Sequence, residues 1–233
     1  MPFVPESQLR RTKVDKFKIS DDHQIAAFTV DIGNTENLTL GFKNLETNEI
    51  LPFQIHNVGS CEFGLERTIY FTECDHYNRP CKVKRFNLDT QEKQTVFIDE
   101  NPTHYIDIGV TKDKKFLTIN SNTKEDGEIY VLRREAEATE TTPKLLIKRE
   151  PGVQNHIDHL RDFFVCITTD ANKSYKLKKL KDASGSEWED MLPFDDPTLV
   201  IDEFDTFDTF FALYAKRNGV PELIVQDLDT GKF

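Results

Sequence analysis

Five apolar triplets recur along the chain at a nearly fixed spacing: FTV (28–30), YFT (70–72), LTI (117–119), VCI (165–167) and ALY (212–214). Their last residues are 42, 47, 48 and 47 apart. A second anchor keeps the same period. Leu45, Leu88, Leu132, Leu180 and Leu228 close the following apolar runs and lie 43, 44, 48 and 48 apart. Within a unit, triplet and leucine are separated by 15, 16, 13, 13 and 14 residues. Two anchors with one period mark an internal repeat, and a repeat of this length restricts the fold to stacked or radially arranged units.

Each unit fills in as strands. A strand is expected before each triplet, at 14–20, 57–63, 105–111, 156–160 and 199–204. Another follows the leucine, at 50–55, 94–99, 144–149 and 188–193, and the fifth unit reaches Phe233 before such a strand. Polar turns begin at Leu45-Glu46-Thr47-Asn48, Leu88-Asp89-Thr90-Gln91 and Leu228-Asp229-Thr230-Gly231, the composition of hairpin connections. Four short strands per unit of this length is the arithmetic of a β-propeller blade. Inner strands of stacked blades are covered on both faces and read as short apolar runs. AAFTV and FFALY do so, whereas KLLIKR and QTVFID have the polar look of outer strands. The expected fold is all-β: about five four-stranded blades over 14–233, after a lead-in segment at 1–13. The regular spacing leaves no internal boundary, with 133–143 and 181–189 as long inter-strand loops.

Composition narrows the function. With 41 acidic against 30 basic residues the formal charge is −11, which disfavours nucleic acid and anionic membranes, since both demand clustered Lys and Arg. No run approaches the 18 apolar residues of a membrane span. The N-terminus, MPFVPESQLRR, lacks the apolar core of a signal peptide. Cys61, Cys74, Cys81 and Cys166 form no C-x-x-C, so they are read as reduced thiols of a cytoplasmic protein. The sequons at Asn37 and Asn172 are read as chance matches.

Catalytic signatures are missing. None of the ten glycines sits in G-x-S-x-G, the sharp elbow that exposes a hydrolase serine. Ser60 follows Gly59 but falls in an expected strand. No phosphate-binding glycine loop occurs. His156 and His159 are three apart, which on a strand turns them to opposite faces and away from a shared metal. His23, His56, His76 and His104 are read as ordinary surface residues. Asp195, Asp196, Asp202, Glu203, Asp205 and Asp208 form an acidic stretch that could attract a basic peptide or a cation, and it is read as a solvated loop and an outward face. No catalytic residue, cofactor or metal ligand is assigned.

The wording of the repeats resembles a known family. FLTINSN (116–122) followed by EIYVL (128–132) is similar to the propeller of the prolyl oligopeptidase family, with a closer likeness to oligopeptidase B and the prolyl endopeptidase-like proteins. SDDHQIAAFTVD, YFTECDHYNRPCKVKRFNL, SYKLKKL, EWEDMLP and NGVPELIVQDLDTG agree. The resemblance implies a seven-bladed parent whose propeller sits over an α/β-hydrolase domain carrying a Ser, Asp and His triad. It also implies a role in restricting entry to short peptides. Nothing in the chain matches that hydrolase domain or the family's N-terminal segment, so the chain reads as a fragment, inactive alone, of a serine endopeptidase. The rival reading is a free-standing propeller acting as a protein-interaction module.

Overall fold

The structure is a computed structural model that describes residues 11–134, 142–169, 175–181, 187–192 and 196–232. Several expectations fall outside these residues: most of the lead-in, 135–141 and 182–186 of the two long loops, the Asn172 sequon, Pro193 and Asp195.

Among the described residues nineteen strands make up the regular structure and no α-helix occurs. They form five antiparallel sheets in chain order. The first holds β1 (Thr12–Ile19), β2 (Ile25–Ile32), β3 (Leu38–Asn44) and β4 (Ile55–His56). The second holds β5 (Val58–Phe63), β6 (Thr68–Cys74), β7 (Pro80–Asn87) and β8 (Lys93–Ile98). The third contains β9 (Tyr105–Val110), β10 (Phe116–Asn122), β11 (Gly127–Arg133) and β12 (Lys144–Ile147). The fourth contains β13 (Asn155–Leu160), β14 (Phe163–Thr169), β15 (Tyr175–Lys181) and β16 (Glu189–Asp190). The last has three strands, β17 (Leu199–Thr206), β18 (Phe210–Arg217) and β19 (Val220–Asp227). Each sheet is a meander of consecutive strands, the blade that the repeat requires. Every apolar triplet lies on the second strand of its sheet.

The second strands are the buried ones. Ala26, Ala27, Leu117, Phe164, Val165, Phe211 and Leu213 are inaccessible to solvent, as expected for strands covered on both faces. The fourth strands β8 and β12 carry no buried residue. Third strands end on a shared device. Asn44, Asn87 and Asp227 each accept hydrogen bonds from the two backbone N–H groups two and three residues ahead. This side-chain turn sits one residue before Leu45, Leu88 and Leu228, where the sequence places the turn.

The expected strand at 50–55 is the clearest departure. Only β4 and an isolated bridge between Lys43 and Ile50 form there. Pro52 has no N–H to give a ladder. Leu51 and Phe53 instead pack against the buried core, and the Phe53 ring lies 5.5 Å from Phe42 and 5.6 Å from Phe86. The strand expected at 188–193 shrinks to Glu189–Asp190, paired with Lys179 and Lys178. β17 runs two residues past its expected end, with a register shift between Ile201 and Glu203.

The chain divides into two compact units: the described residues of Met1–Gly109, Leu117–Thr123 and Val131–Lys144, and those of Val110–Phe116, Lys124–Tyr130 and Leu145–Phe233. The first has a core of Ile25, Leu40, Phe42, Val58, Ile69, Phe71 and Phe86 with their neighbours. The core of the second includes Leu160, Val165, Ile167, Leu177, Phe211 and Leu213.

Candidate functional site

A serine, a histidine and an aspartate come together in the first unit. Ser121, on β10, donates its hydroxyl to Asp99 Oδ2 at 2.5 Å. His104 Nδ1 lies 2.9 Å from the same oxygen. Asn101, Thr103 and His104 reach this position because the turn after β8 folds onto itself. The Asn101 N–H donates to Asp99 Oδ1, and Asn101 Oδ1 accepts from the Thr103 N–H and hydroxyl. A nucleophilic triad needs the serine to hand its proton to an imidazole whose other nitrogen is held by the acid. Here the carboxylate stands between the two, Ser121 Oγ is 3.5 Å from the same nitrogen that faces Asp99, and Nε2 faces Asn101 Nδ2 at 3.0 Å. Ser121 is also 0% exposed, so no substrate carbonyl reaches it. The grouping fastens a turn. Burial raises the Asp99 carboxyl, but the hydrogen bonds from Ser121, the Asn101 N–H and His104 outweigh it and hold the group below 3.8.

The second unit contains a parallel arrangement. His159, on β13, is 3% exposed and its Nδ1 lies 2.7 Å from Asp113 Oδ2. Its ring sits between Phe116 and Phe164, with centroids 4.7 and 4.6 Å away. Asp113 also accepts from Thr111 Oγ1 and the Lys115 N–H. Its carboxyl, raised by burial, is brought net below 3.8 by bonds from His159, Lys115 and Thr111. An ionised carboxylate only accepts, so Nδ1–H of His159 is the donor. Neighbouring Asp158 takes the Lys112 and His159 N–H groups and the Thr206 hydroxyl. His156 is exposed while His159 is buried, the opposite facing that their spacing predicts.

The acidic stretch is largely engaged. Asp196 pairs with Arg217 and accepts from Thr198. Asp202 meets Lys216 at 2.7 Å, and Asp205 meets Lys112 at 2.9 Å. These pairs lie at the surface, where ion pairs contribute little. Ser60 is buried on β5 beside Thr72 Oγ1. The four thiols are free. Burial raises Cys61 and Cys166 to about 12, the opposite of an activated nucleophile. Among the described residues no group of three or more His, Cys, Asp or Glu is placed to hold a metal ion.

Sequence reading missed two roles. His104 is a half-buried member of the Asp99 network rather than a plain surface residue. Arg134, just after β11, is buried in the first unit and donates to Asp21 Oδ2 at 3.0 Å and to the Gly64 carbonyl. Asp-x-Asn-x-Thr-His at 99–104 carried a signal for the first, since Asp and Asn favour such turns. Nothing local announced Arg134, because its partners are 113 and 70 residues away.

Residues 7–233 match the family described as "Prolyl oligopeptidase, N-terminal beta-propeller domain". The chain is 29% identical to "Prolyl endopeptidase-like" of Gallus gallus, covering 81% of this chain and 26% of that protein. It is 28% identical to "Dipeptidyl aminopeptidase BI" of Pseudoxanthomonas mexicana, over 93% of this chain and 30% of that one. Among solved structures it is similar to oligopeptidase B from Leishmania major, with a TM-score of 0.84 at 19% identity, over 95% of this chain and 32% of that one. The chain thus spans less than a third of each of these proteins. Five meandering sheets, the repeat that encodes them and the match over 7–233 lead to one assignment: the chain belongs to the prolyl oligopeptidase family of serine peptidases, as its N-terminal β-propeller domain.

Proposed function

We propose that this chain is the non-catalytic propeller region of a serine oligopeptidase, and that it gates the access of short peptides to an α/β-hydrolase domain of the parent protein. The observation that carries this reading is the family match over 7–233 in a chain spanning 26% and 30% of two curated relatives. The physical logic is exclusion: a ring of blades leaves a narrow passage, which a short peptide threads and a folded protein does not. Hydrolysis then needs a nucleophile, a base and an oxyanion hole from elsewhere. The Ser121, His104 and Asp99 grouping, wrongly ordered and buried, is consistent with that division of labour.

Exposed apolar residues favour a chain that is covered by something more. Val14, Phe17 and Ile19 on β1, and Val220, Leu223 and Val225 on β19, are solvent-exposed. Such faces invite association. In the preferred reading further blades cover them. In the rival reading, a free-standing interaction module, a separate partner does. A fluorophosphonate serine probe is expected to leave the purified chain unlabelled under conditions that label a serine peptidase control. Stoichiometric labelling of the chain would overturn the non-catalytic reading.

A further inference from the structure

Two cysteines, Cys74 and Cys81, flank the turn where β6 runs back into β7. Glu73 pairs with Lys82 and Cys74 with Pro80, so the ladder slips by one residue between them. Pro80 and Cys81 together therefore oppose Cys74, a β-bulge on β7. Glu73 reaches Lys82 and Lys84 on one face of the hairpin, at 3.6 and 2.6 Å. Cys74 and Cys81, each one residue removed, lie on the other face. The space over Gly59 on β5 locates Cys74 on that face together with the Pro80 end of the bulge. A Cβ there would meet the Pro80 ring at 2.9 Å and Cys74 Sγ at 3.4 Å. Cys81 Sγ tips back toward β6, 3.8 Å from the Glu73 carbonyl oxygen.

Opposed residues of an antiparallel pair have Cα atoms about 4.5–5.5 Å apart, inside the roughly 4.4–6.8 Å that a disulfide spans. Neither remaining thiol has such a partner: Cys61 faces Phe71, and Cys166 faces Ile157 and Lys178. The connecting turn is already fastened. Asp75 accepts from the Tyr77 and Arg79 N–H groups and from Arg79 Nε, and Arg79 Nη1 donates to the Asn101 and His104 carbonyls.

We propose that Cys74 and Cys81 are a reversible disulfide pair, closed by exchange with a low-molecular-weight disulfide such as oxidised glutathione. The Cys74 thiolate attacks one sulfur of the oxidant, forms a mixed disulfide and releases one reduced thiol. The Cys81 thiolate then attacks Cys74 Sγ and displaces the second. Two protein thiols are oxidised to one disulfide as one small disulfide is reduced to two thiols. Cys74 is partly exposed and open to the oxidant, whereas Cys81 is buried and positioned to resolve. The burial that pushes Cys74 up to about 11 leaves little thiolate at neutral pH, so the first attack is slow. Closure fixes the bulge and the turn that presents Tyr77, which is 80% exposed.

The test treats the full chain with oxidised glutathione, then alkylates it under acidic quench and denaturation. Alkylatable thiols are expected to fall from four to two, and the tryptic peptide carrying both residues to become lighter by two hydrogens. Reduction should restore both. In Cys81→Ser, glutathione should remain trapped on Cys74. Four surviving thiols, a persistent glutathione adduct on the unsubstituted chain, or a linkage involving Cys61 or Cys166 would each overturn the proposal. If Cys81→Ser does not fold, the peptide masses of the unsubstituted chain still decide.

Discussion

Phe42→Ala is expected to cost the first unit about 3–5 kcal/mol, the range for removing a large aromatic from a packed core. Phe42 is 0% exposed, and its ring lies 5.5 Å from Phe53 and 6.1 Å from Phe86. Truncation leaves a void beside two rings, Phe53 in the segment between β3 and β4 and Phe86 on β7, and closing it requires one of them to move. Phe17→Ala provides the contrast. Phe17 is 57% exposed on β1, and its loss should change stability by about 0.5 kcal/mol or less. Urea unfolding followed by far-UV circular dichroism separates the two. A Phe42→Ala midpoint equal to that of Phe17→Ala would mean that the core drawn here does not hold the sheets.

Asp113→Ala carries the second large expected loss, also about 3–5 kcal/mol, because it removes one partner of a buried pair and strands the other. His159 is left between Phe116 and Phe164 with its Nδ1–H unanswered, and the Thr111 hydroxyl and Lys115 N–H lose their acceptor as well. Replacing both residues, as Asp113→Ala with His159→Leu, should cost less than the two single losses added together, since the orphaned imidazole is gone. An exposed pair such as Arg67 and Asp89 gives the reference: Asp89→Ala should cost at most about 1 kcal/mol. The pH dependence has a definite sign. The folded carboxyls of Asp113 and Asp99 sit below their ordinary 3.8. Their contribution is therefore fully present above 3.8 and is lost as pH falls from there through the lower folded values. The urea midpoint should drop in that window, and Asp113→Asn should flatten the drop.

These two sites were not equally legible in the sequence. Phe42 lies in the apolar run that Leu45 closes, a position the repeat marks as strand without singling it out for burial. The repeat placed every triplet on a second strand and located all five first strands to within about two residues at each end, because one period counts both hydrophobic pattern and turn chemistry. It failed at 50–55, where one proline and the pull of Phe53 toward Phe42 overrode strand propensity. The His159 and Asp113 pair was half visible. Strand alternation separated His159 from His156 correctly, yet nothing in that alternation said that a turn residue 46 positions away would meet the buried ring. The same holds for Arg134, and for the slip that sets Cys81 against Cys74, since seven-residue spacing alone gives no register. Long-range pairing of polar groups is set by how sheets stack, and a single sequence records that only indirectly.

Function was legible as a family and not as a mechanism, because the repeats record strands and turns and name no reacting group. The central claim is that this scaffold belongs to a peptidase whose chemistry lies elsewhere in the same polypeptide. Sequencing the transcript beyond the codon for Phe233 tests that most directly. The expected result is an open frame with further repeats of roughly 45 residues, followed by the G-x-S-x-G elbow of an α/β-hydrolase. A stop codon directly after Phe233 would contradict it and leave the propeller to act as an interaction module.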